Sequence, residues 1–104
     1  MARPLGLGTL RILAAIRDGA TYGLDIVSHT GLPSGTVYPT LGRLKKRSLV
    51  RARWEEAAEA EREGRPRRKY YELSAEGARV LSREAGRVQA LAAALDPDTA
   101  PDAG

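Results

Sequence analysis

The segment Ser34–Arg47 has the clearest potential for chemistry, because hydroxyl-bearing and small side chains precede a group of cations. Val37, Leu41 and Leu44 recur with helical spacing and predict one apolar face that packs on a core. The remaining surface suits the major groove of DNA. There, small residues let the backbone approach, while hydroxyls and cations bond base edges and phosphates. The alternative is an ordinary surface helix with a solvated basic face.

A second cationic segment follows this helix. Leu49–Trp54 and Arg68–Leu73 are rich in strand-forming residues and predict a β-hairpin. Between them, Glu55–Arg67 is polar, contains Gly and Pro, and predicts a long flexible tip. The cations near its base are Arg65, Arg67, Arg68 and Lys69. Strand alternation puts Arg67 and Lys69 on one side and Arg68 on the other, so we expect that they cannot all touch one duplex.

Two further helices must position these segments. The first is predicted over Leu7–Asp18 and is apolar on more than one side, so it should pack against more than one neighbour. The second begins with Thr21 as its N-cap, and Leu24 and Val27 can face inward. Tyr22, in its first turn, either gives its hydroxyl to a phosphate or is a half-buried tyrosine at the domain edge.

The last predicted helix runs over Ala75–Leu95, with Ser74 as its N-cap. Leu81, Val88 and Leu95 recur every seven residues and form a narrow seam, which is typical of a helix covered by a partner helix. Packing on its own domain is the alternative. Residues 96–104 have the composition of a disordered tail.

Pro39 interrupts the helical pattern of Ser34–Arg47. We expect the helix to continue through it, because Pro39 lies within the first two turns and residue i−4 is Gly35. The predicted fold class is mainly α with a small β-hairpin. Residues 1–73 form a winged helix-turn-helix, and residues 74–95 form a C-terminal dimerisation helix.

The composition of the chain limits the classes of function that it can have. The chain of 104 residues is long enough for one domain and has a net charge of +4. Without the three aspartates of residues 96–104, seventeen cations face ten acids, giving +7. This excess on a basic helix and hairpin indicates a polyanion partner. No segment has the length or apolarity of a signal peptide or membrane span, and there is no cysteine, so we expect a cytoplasmic protein without membrane binding.

Three segments carry a resemblance to a known family: Tyr22–Ile26, Gly35–Leu44 and Gly64–Gly77. In this order they resemble the PadR family of bacterial transcriptional regulators, and in particular its short members with a single C-terminal helix. The resemblance implies a homodimer formed by the first and last helices. It also implies operator binding by the third helix and the wing, usually as a repressor. The link His29–Pro33 is shorter than in many relatives. The wing tip Glu55–Glu63 is long and acidic, and we expect it to point away from DNA.

The expected site residues form two sets. The DNA-binding set is Tyr22, Ser34, Gly35, Thr36, Tyr38, Pro39, Thr40, Arg43, Arg65, Arg67, Arg68 and Lys69. The dimerisation set is Leu10, Leu13, Leu81, Val88, Leu91 and Leu95. The expected partners are double-stranded operator DNA, a second copy of the chain and a small-molecule effector. The effector would occupy a pocket at the dimer seam that Trp54 or Tyr70 could line, although hairpin packing explains both residues equally well.

The sequence is also compared with the features of two other classes of function, protein binding and catalysis. A winged-helix module that binds protein instead of DNA is the main alternative, because a fold does not dictate its ligand. The basic third helix argues against it, since protein interfaces are more apolar at their centre. An enzyme is not expected. The single histidine, His29, has no carboxylate or nucleophile at an informative spacing, and no catalytic, metal or cofactor motif is present.

Overall fold

The computed structural model describes residues 4–98, in which five helices surround a two-stranded antiparallel sheet. In chain order the elements are α1 (Leu7–Arg17), α2 (Gly23–Thr30), α3 (Ser34–Lys46), β1 (Val50–Trp54), α4 (Ala57–Arg62), β2 (Lys69–Leu73) and α5 (Ala75–Leu95). The hairpin register pairs Val50 with Leu73 and Trp54 with Lys69. The predicted fold class, mainly helical with a winged hairpin, is confirmed.

The core forms around α1, which packs against α2, α5 and β2. This agrees with the prediction that an all-round apolar helix meets more than one neighbour. Ile12 and Leu13 are fully buried there, and Leu10 is nearly so. Leu10 and Leu13 were expected at a dimer interface, but each fills the core of its own chain. The apolar face of α3 is confirmed, since Val37 and Leu41 have no exposed surface.

The start of α2 differs from the prediction. Its N-cap is Tyr22, and no side chain caps the first turn. Thr21 instead uses its carbonyl oxygen to accept a hydrogen bond from the Tyr71 N–H, at 2.7 Å, which ties this linker to β2. Leu24, predicted to face inward, is 70% exposed, and Ile26 is the residue of α2 that is fully buried.

Helix α3 continues through Pro39, as predicted. Proline has no N–H, so the Gly35 carbonyl loses its usual helical donor. Gly35 and Pro39 are both exposed, and water can therefore satisfy that carbonyl.

The start of α5 is hydrogen-bonded to the segment that precedes β1. Ser74 is the N-cap of α5, as predicted, and its Oγ accepts a hydrogen bond from the Gly77 N–H at 2.9 Å. The same hydroxyl donates to the Ser48 carbonyl at 2.6 Å, and the Ser74 N–H donates to the Leu49 carbonyl at 3.1 Å. A Cβ on Gly77 would lie 1.9 Å from the Leu49 oxygen. Glycine is therefore required for the close approach of these two backbones.

The wing is more ordered than predicted. A flexible tip was expected over residues 55–67, but the short helix α4 occupies its middle and Ala60 is buried. Glu55, expected to point away with the other acids of the tip, is 4% exposed. Glu55 can be buried because the guanidinium of Arg65 lies close to its carboxylate and compensates the negative charge.

The two halves of α5 have different surroundings. In the first half, Val80 and Leu81 belong to the core, and the Glu84 carboxylate is bonded by Arg87 at 2.5 Å. From residue 89 to residue 95 every residue is exposed. Packing on its own domain therefore holds for the first half, including Leu81, which was expected at a dimer interface. Residues 99–104 of the predicted disordered tail lie outside the described residues.

Candidate nucleic-acid interface

The outer face of α3 presents most of the residues that the sequence predicts for DNA. The exposed residues of its first two turns include Ser34, Gly35, Thr36 and Pro39. A Cβ added at Gly35 or Gly42 would meet no atom within 4 Å. This face is therefore open to the close approach of another molecule along its length.

Thr40 is the exception on α3. It is 3% exposed, and its hydroxyl donates to the Thr36 carbonyl at 2.7 Å. The same oxygen accepts a hydrogen bond from the Arg43 guanidinium at 3.0 Å. Thr40 was expected on the DNA surface, but it points inward because its hydroxyl finds a partner one turn back along the helix. It positions Arg43 and is not itself open to a ligand.

Cations without acidic partners surround the end of α3. Within residues 4–98, no carboxylate oxygen lies within 4.0 Å of the charged nitrogens of four exposed residues, Arg43, Lys45, Lys46 and Arg47. Exposed cations that no acid neutralises keep their full charge for phosphate contacts.

Tyr38 leaves α3 on the side of α2. Its ring lies against the start of that helix, where a Cβ on Gly23 would come within 2.4 Å of the ring. Gly23 therefore makes the space for Tyr38, which keeps part of its surface exposed. The wing faces the same region, so Tyr38 connects the helix surface to the hairpin surface.

A buried carboxylate organises the base of the wing. Glu55 accepts two hydrogen bonds from the Arg65 guanidinium, at 2.6 and 2.8 Å. It also accepts one from the Arg68 N–H at 3.2 Å and one from the Tyr70 hydroxyl at 3.3 Å. The hydrogen bonds from Arg65 are the main cause that lowers the pKa of Glu55 to about 2. Arg65 was expected to bind DNA, but its partly buried guanidinium is paired with the Glu55 carboxylate.

The other wing cations lie on aromatic rings. The Arg68 guanidinium lies 4.0 Å from the centre of the Tyr22 ring. Arg67 and Lys69 both approach the Trp54 ring, at 5.8 and 5.6 Å. The predicted separation of Arg68 from the other two is therefore seen, but Tyr22 and Trp54 border one groove, so all three cations reach the same surface.

Sequence reasoning missed several residues of this surface. Trp54 is 56% exposed beside the wing cations, and Leu24 is exposed across the groove from it. Trp54 was considered only for a pocket at the dimer seam. The signal that could have placed it is its position at the end of β1, opposite Lys69. No sequence pattern predicts the pairing of Glu55 with Arg65, because the short helix α4 between them determines how close they come.

Comparison with known proteins shows the family to which the chain belongs. The sequence matches the Transcriptional regulator PadR-like family over residues 12–83. The chain belongs to this family. The family suspected from the three sequence segments is thereby confirmed. The match includes α2, α3 and the wing, the elements that form the surface described above. A search of curated protein sequences finds no significant match.

Solved structures show the same fold. A PadR family transcription regulator from hypervirulent Clostridium difficile R20291 is 24% identical, with a TM-score of 0.73 over 84% of this chain and 92% of that one. PcaV from Streptomyces coelicolor, solved with its natural ligand, is 22% identical, with a TM-score of 0.72 over 93% and 67% of the two chains. BpsR from Bordetella bronchiseptica, whose DNA binding is regulated by 6-hydroxynicotinic acid, is 22% identical, with a TM-score of 0.66 over 92% and 71%.

Residues 4–98 hold no group of three or more His, Asp and Glu residues arranged to bind a metal ion. None of their helices combines the length and apolarity needed to cross a membrane.

Proposed function

We propose that this PadR-like protein is a sequence-specific DNA-binding repressor that acts as a homodimer in the cytoplasm. The observation that carries the proposal is the open face of α3, which lies beside cations that no carboxylate of residues 4–98 neutralises. In this proposal α3 enters the major groove and Arg43 contacts a guanine edge or a phosphate. Arg67, Arg68 and Lys69 of the wing contact the flanking backbone. Residues 1–73 form the DNA-binding unit.

Three of the expected DNA contacts are revised in this proposal. Thr40 and Arg65 act indirectly, by holding Arg43 and Glu55. Tyr22 acts through Arg68, because its ring lies under that guanidinium. Thr36, Tyr38 and Arg43 remain the α3 side chains nearest the duplex, and the exposed Ser34, Gly35 and Pro39 allow the close approach of the sugar–phosphate chain.

Dimerisation is proposed through residues 74–95 together with the start of α1. Leu7, Leu91 and Leu95 are large apolar side chains that are exposed in the single chain. Val88 is partly buried against the core and extends the same helix face. Burying these side chains against a second copy would remove apolar surface from water. The dimerisation set is thus narrowed to Val88, Leu91 and Leu95, with Leu7 added.

Light scattering tests the dimer. The parent protein at micromolar concentration should have twice the mass of the chain, and replacing Leu91 and Leu95 together by Glu should give monomers. The operator affinity of that variant should fall, because each monomer then holds only one half-site. Gln89→Glu, which adds a charge to the same exposed end of α5, is the matched control. A monomeric parent protein would contradict the dimer but not DNA binding.

Footprinting tests the function itself. The DNA upstream of the protein's own gene should show one protected region with two half-sites separated by a whole number of helical turns. Effector control is proposed as well, because the DNA binding of BpsR is regulated by a small molecule and PcaV has a natural ligand.

The alternative is a module that binds protein and not DNA, and it is favoured by the exposed side chains of Leu24, Tyr38 and Trp54. Absence of protection on any duplex, with a folded protein, would support that alternative. Neither function is enzymatic.

A further inference from the structure

Lysine side chains are few in this chain and lie close to the proposed DNA surface. Of the seventeen cationic side chains fourteen are arginines, and the three lysines are Lys45, Lys46 and Lys69. The first two lie at the end of α3, and the third begins β2 in the wing. A lysine amine can be acylated to an amide, whereas a guanidinium stays charged. Acylation of any lysine side chain would therefore remove charge from this surface.

The three lysines differ in their surroundings. Lys45 and Lys46 are exposed, and neither forms an ion pair with an acid of residues 4–98. Lys69 is partly buried, and its Nζ lies 5.6 Å from the centre of the Trp54 ring. Because that ring covers one side of the amine, a reagent reaches Lys69 less easily. The two lysines of α3 are therefore the more accessible amines.

Helical spacing separates Lys46 from Lys45. Lys46 lies three residues after Arg43, so these two side chains are neighbours on the helix surface, whereas Lys45, two residues after Arg43, does not face it. Arg47, the C-cap residue of α3, lies four residues after Arg43 and is also its neighbour. The hydrogen bond from Arg43 to Thr40 leaves other N–H donors on the guanidinium. The Lys46 amine therefore lies beside a pair of guanidinium groups.

Two guanidinium groups beside an amine suit a reagent that carries both a phosphate and an acyl group. Exposed guanidinium groups without acidic partners attract a phosphate, and their planar donors match its oxygen atoms. We propose that Lys46 is a modification site that accepts the acyl group of an acyl phosphate. Arg43 and Arg47 bind the phosphate, which brings the carbonyl carbon towards the Lys46 amine.

The transfer needs no further reactant. The lone pair of the neutral Lys46 amine attacks the carbonyl carbon, and a C–N bond forms. The bond from this carbon to the phosphate oxygen breaks, and inorganic phosphate leaves with its electron pair. The nitrogen then releases a proton to water. The product is an uncharged amide, so Lys46 loses its positive charge.

Peptide mass spectrometry at several times measures the fraction of each lysine that has reacted. The full-length protein is treated with acetyl phosphate or with the uncharged N-hydroxysuccinimide ester of acetic acid. With acetyl phosphate, Lys46 should react at least roughly threefold faster than Lys45 or Lys69, because it combines exposure with the neighbouring guanidinium pair. In denaturing urea the three rates should be alike. Equal rates for Lys45 and Lys46 in the folded protein, or a faster reaction of Lys69, would overturn the proposed site.

Variants test the role of the guanidinium pair. Arg47→Gln should slow the reaction of Lys46 with acetyl phosphate by roughly threefold, because it removes one partner of the phosphate. It should not slow the reaction with the uncharged ester, which has no phosphate. Arg83→Gln, which removes an exposed cation from α5, should slow neither reaction. Equal slowing by Arg47→Gln with both reagents, or equal effects of the two substitutions, would overturn phosphate binding by the pair.

The consequence for DNA rests on the proposed function and is tested separately. Fluorescence anisotropy with a labelled operator gives the dissociation constant before and after treatment with acetyl phosphate. At about 0.1 M salt, treatment should raise this constant roughly tenfold more in the parent protein than in Lys46→Arg, which keeps the charge but has no amine to acylate. Equal rises in both proteins would overturn the effect on DNA while leaving the modification site. Untreated protein that binds no duplex would instead refute the proposed function, and the site would still stand on mass spectrometry.

Discussion

Helix α3 and the wing carry most of the exposed cations near the proposed DNA surface, but they hold them differently. On α3, the Arg43 guanidinium donates a hydrogen bond to the Thr40 hydroxyl, and neither Arg43 nor the neighbouring lysines form an ion pair with an acid of residues 4–98. In the wing, Arg65 is bound by Glu55, and the other cations lie on aromatic rings. The number of cations in a segment of the sequence therefore does not show how many of them can contact DNA. Helix α3 offers adaptable contacts, whereas the wing offers contacts fixed in advance.

Helix α3 and the wing must be held at fixed positions relative to one another, and Gly77 tests one of the contacts that hold them. Gly77→Ala puts a Cβ against the Leu49 carbonyl oxygen, a contact with backbone that cannot be relieved by a side-chain rotation. The free energy of unfolding should fall by about 3 kcal/mol. Gly86→Ala is the control in the same helix, where a Cβ meets no atom within 4 Å. It should raise stability by up to about 1 kcal/mol. Urea unfolding at one fixed protein concentration measures the free energy of unfolding of both variants. Equal free energies for the two variants would contradict the close contact between Gly77 and the Leu49 carbonyl.

Arg43→Ala tests the availability of the α3 cations. If Arg43 reads a base, operator binding should weaken by about 1–3 kcal/mol, and binding to random DNA should weaken less. Arg79→Ala, which removes the same charge from an exposed position on α5, should change neither affinity. An equal loss on all duplexes would reassign Arg43 to a phosphate, and no loss would remove α3 from the interface.

The wing cations should separate into those that no carboxylate pairs with, Arg67 and Arg68, and Arg65, which is paired with Glu55. Replacing Arg67 and Arg68 together by Gln should weaken binding to specific and random DNA alike. It should also flatten the slope of log affinity against log salt by roughly one to two units. Arg65→Gln should leave the slope unchanged, because Glu55 already neutralises Arg65. Titrations at four salt concentrations measure the slopes. A smaller slope in Arg65→Gln than in the double variant would reverse the assignment.

The smallest expected effect concerns pH. The pKa of Glu55 is lowered from 4.5 to about 2, so its ionised form stabilises the folded state. This contribution is complete above pH 4.5 and is lost as the pH falls towards 2. Glu55→Gln should lower the melting temperature at pH 7 by a few degrees, and the difference from the parent should vanish near pH 2. A difference that persists at pH 2 would show that the ionised carboxylate is not what stabilises the wing.

The sequence predicted the elements better than the surroundings of single residues. Helical spacing identified the buried face of α3, and strand composition identified the hairpin, because both patterns follow from backbone geometry. It placed Leu13 and Leu81 at a dimer interface, whereas both complete the core of one chain. Burial depends on which elements meet, and periodicity alone does not show whether an apolar face meets its own chain or a second copy. The pairing of Glu55 with Arg65 was missed for the same reason, since they are ten positions apart in the sequence and the short helix α4 lies between them.

The central claim is that α3 reads sequence while the wing binds any duplex. The most direct measurement is the ratio of the dissociation constants for the footprinted operator and for a scrambled duplex of equal length and composition, at physiological salt. We expect the operator to be bound at least about a thousandfold more tightly than the scrambled duplex. Arg43→Ala should reduce this ratio, while neutralising Arg67 and Arg68 should leave it nearly unchanged. Equal affinity of the parent protein for both duplexes would contradict the claim.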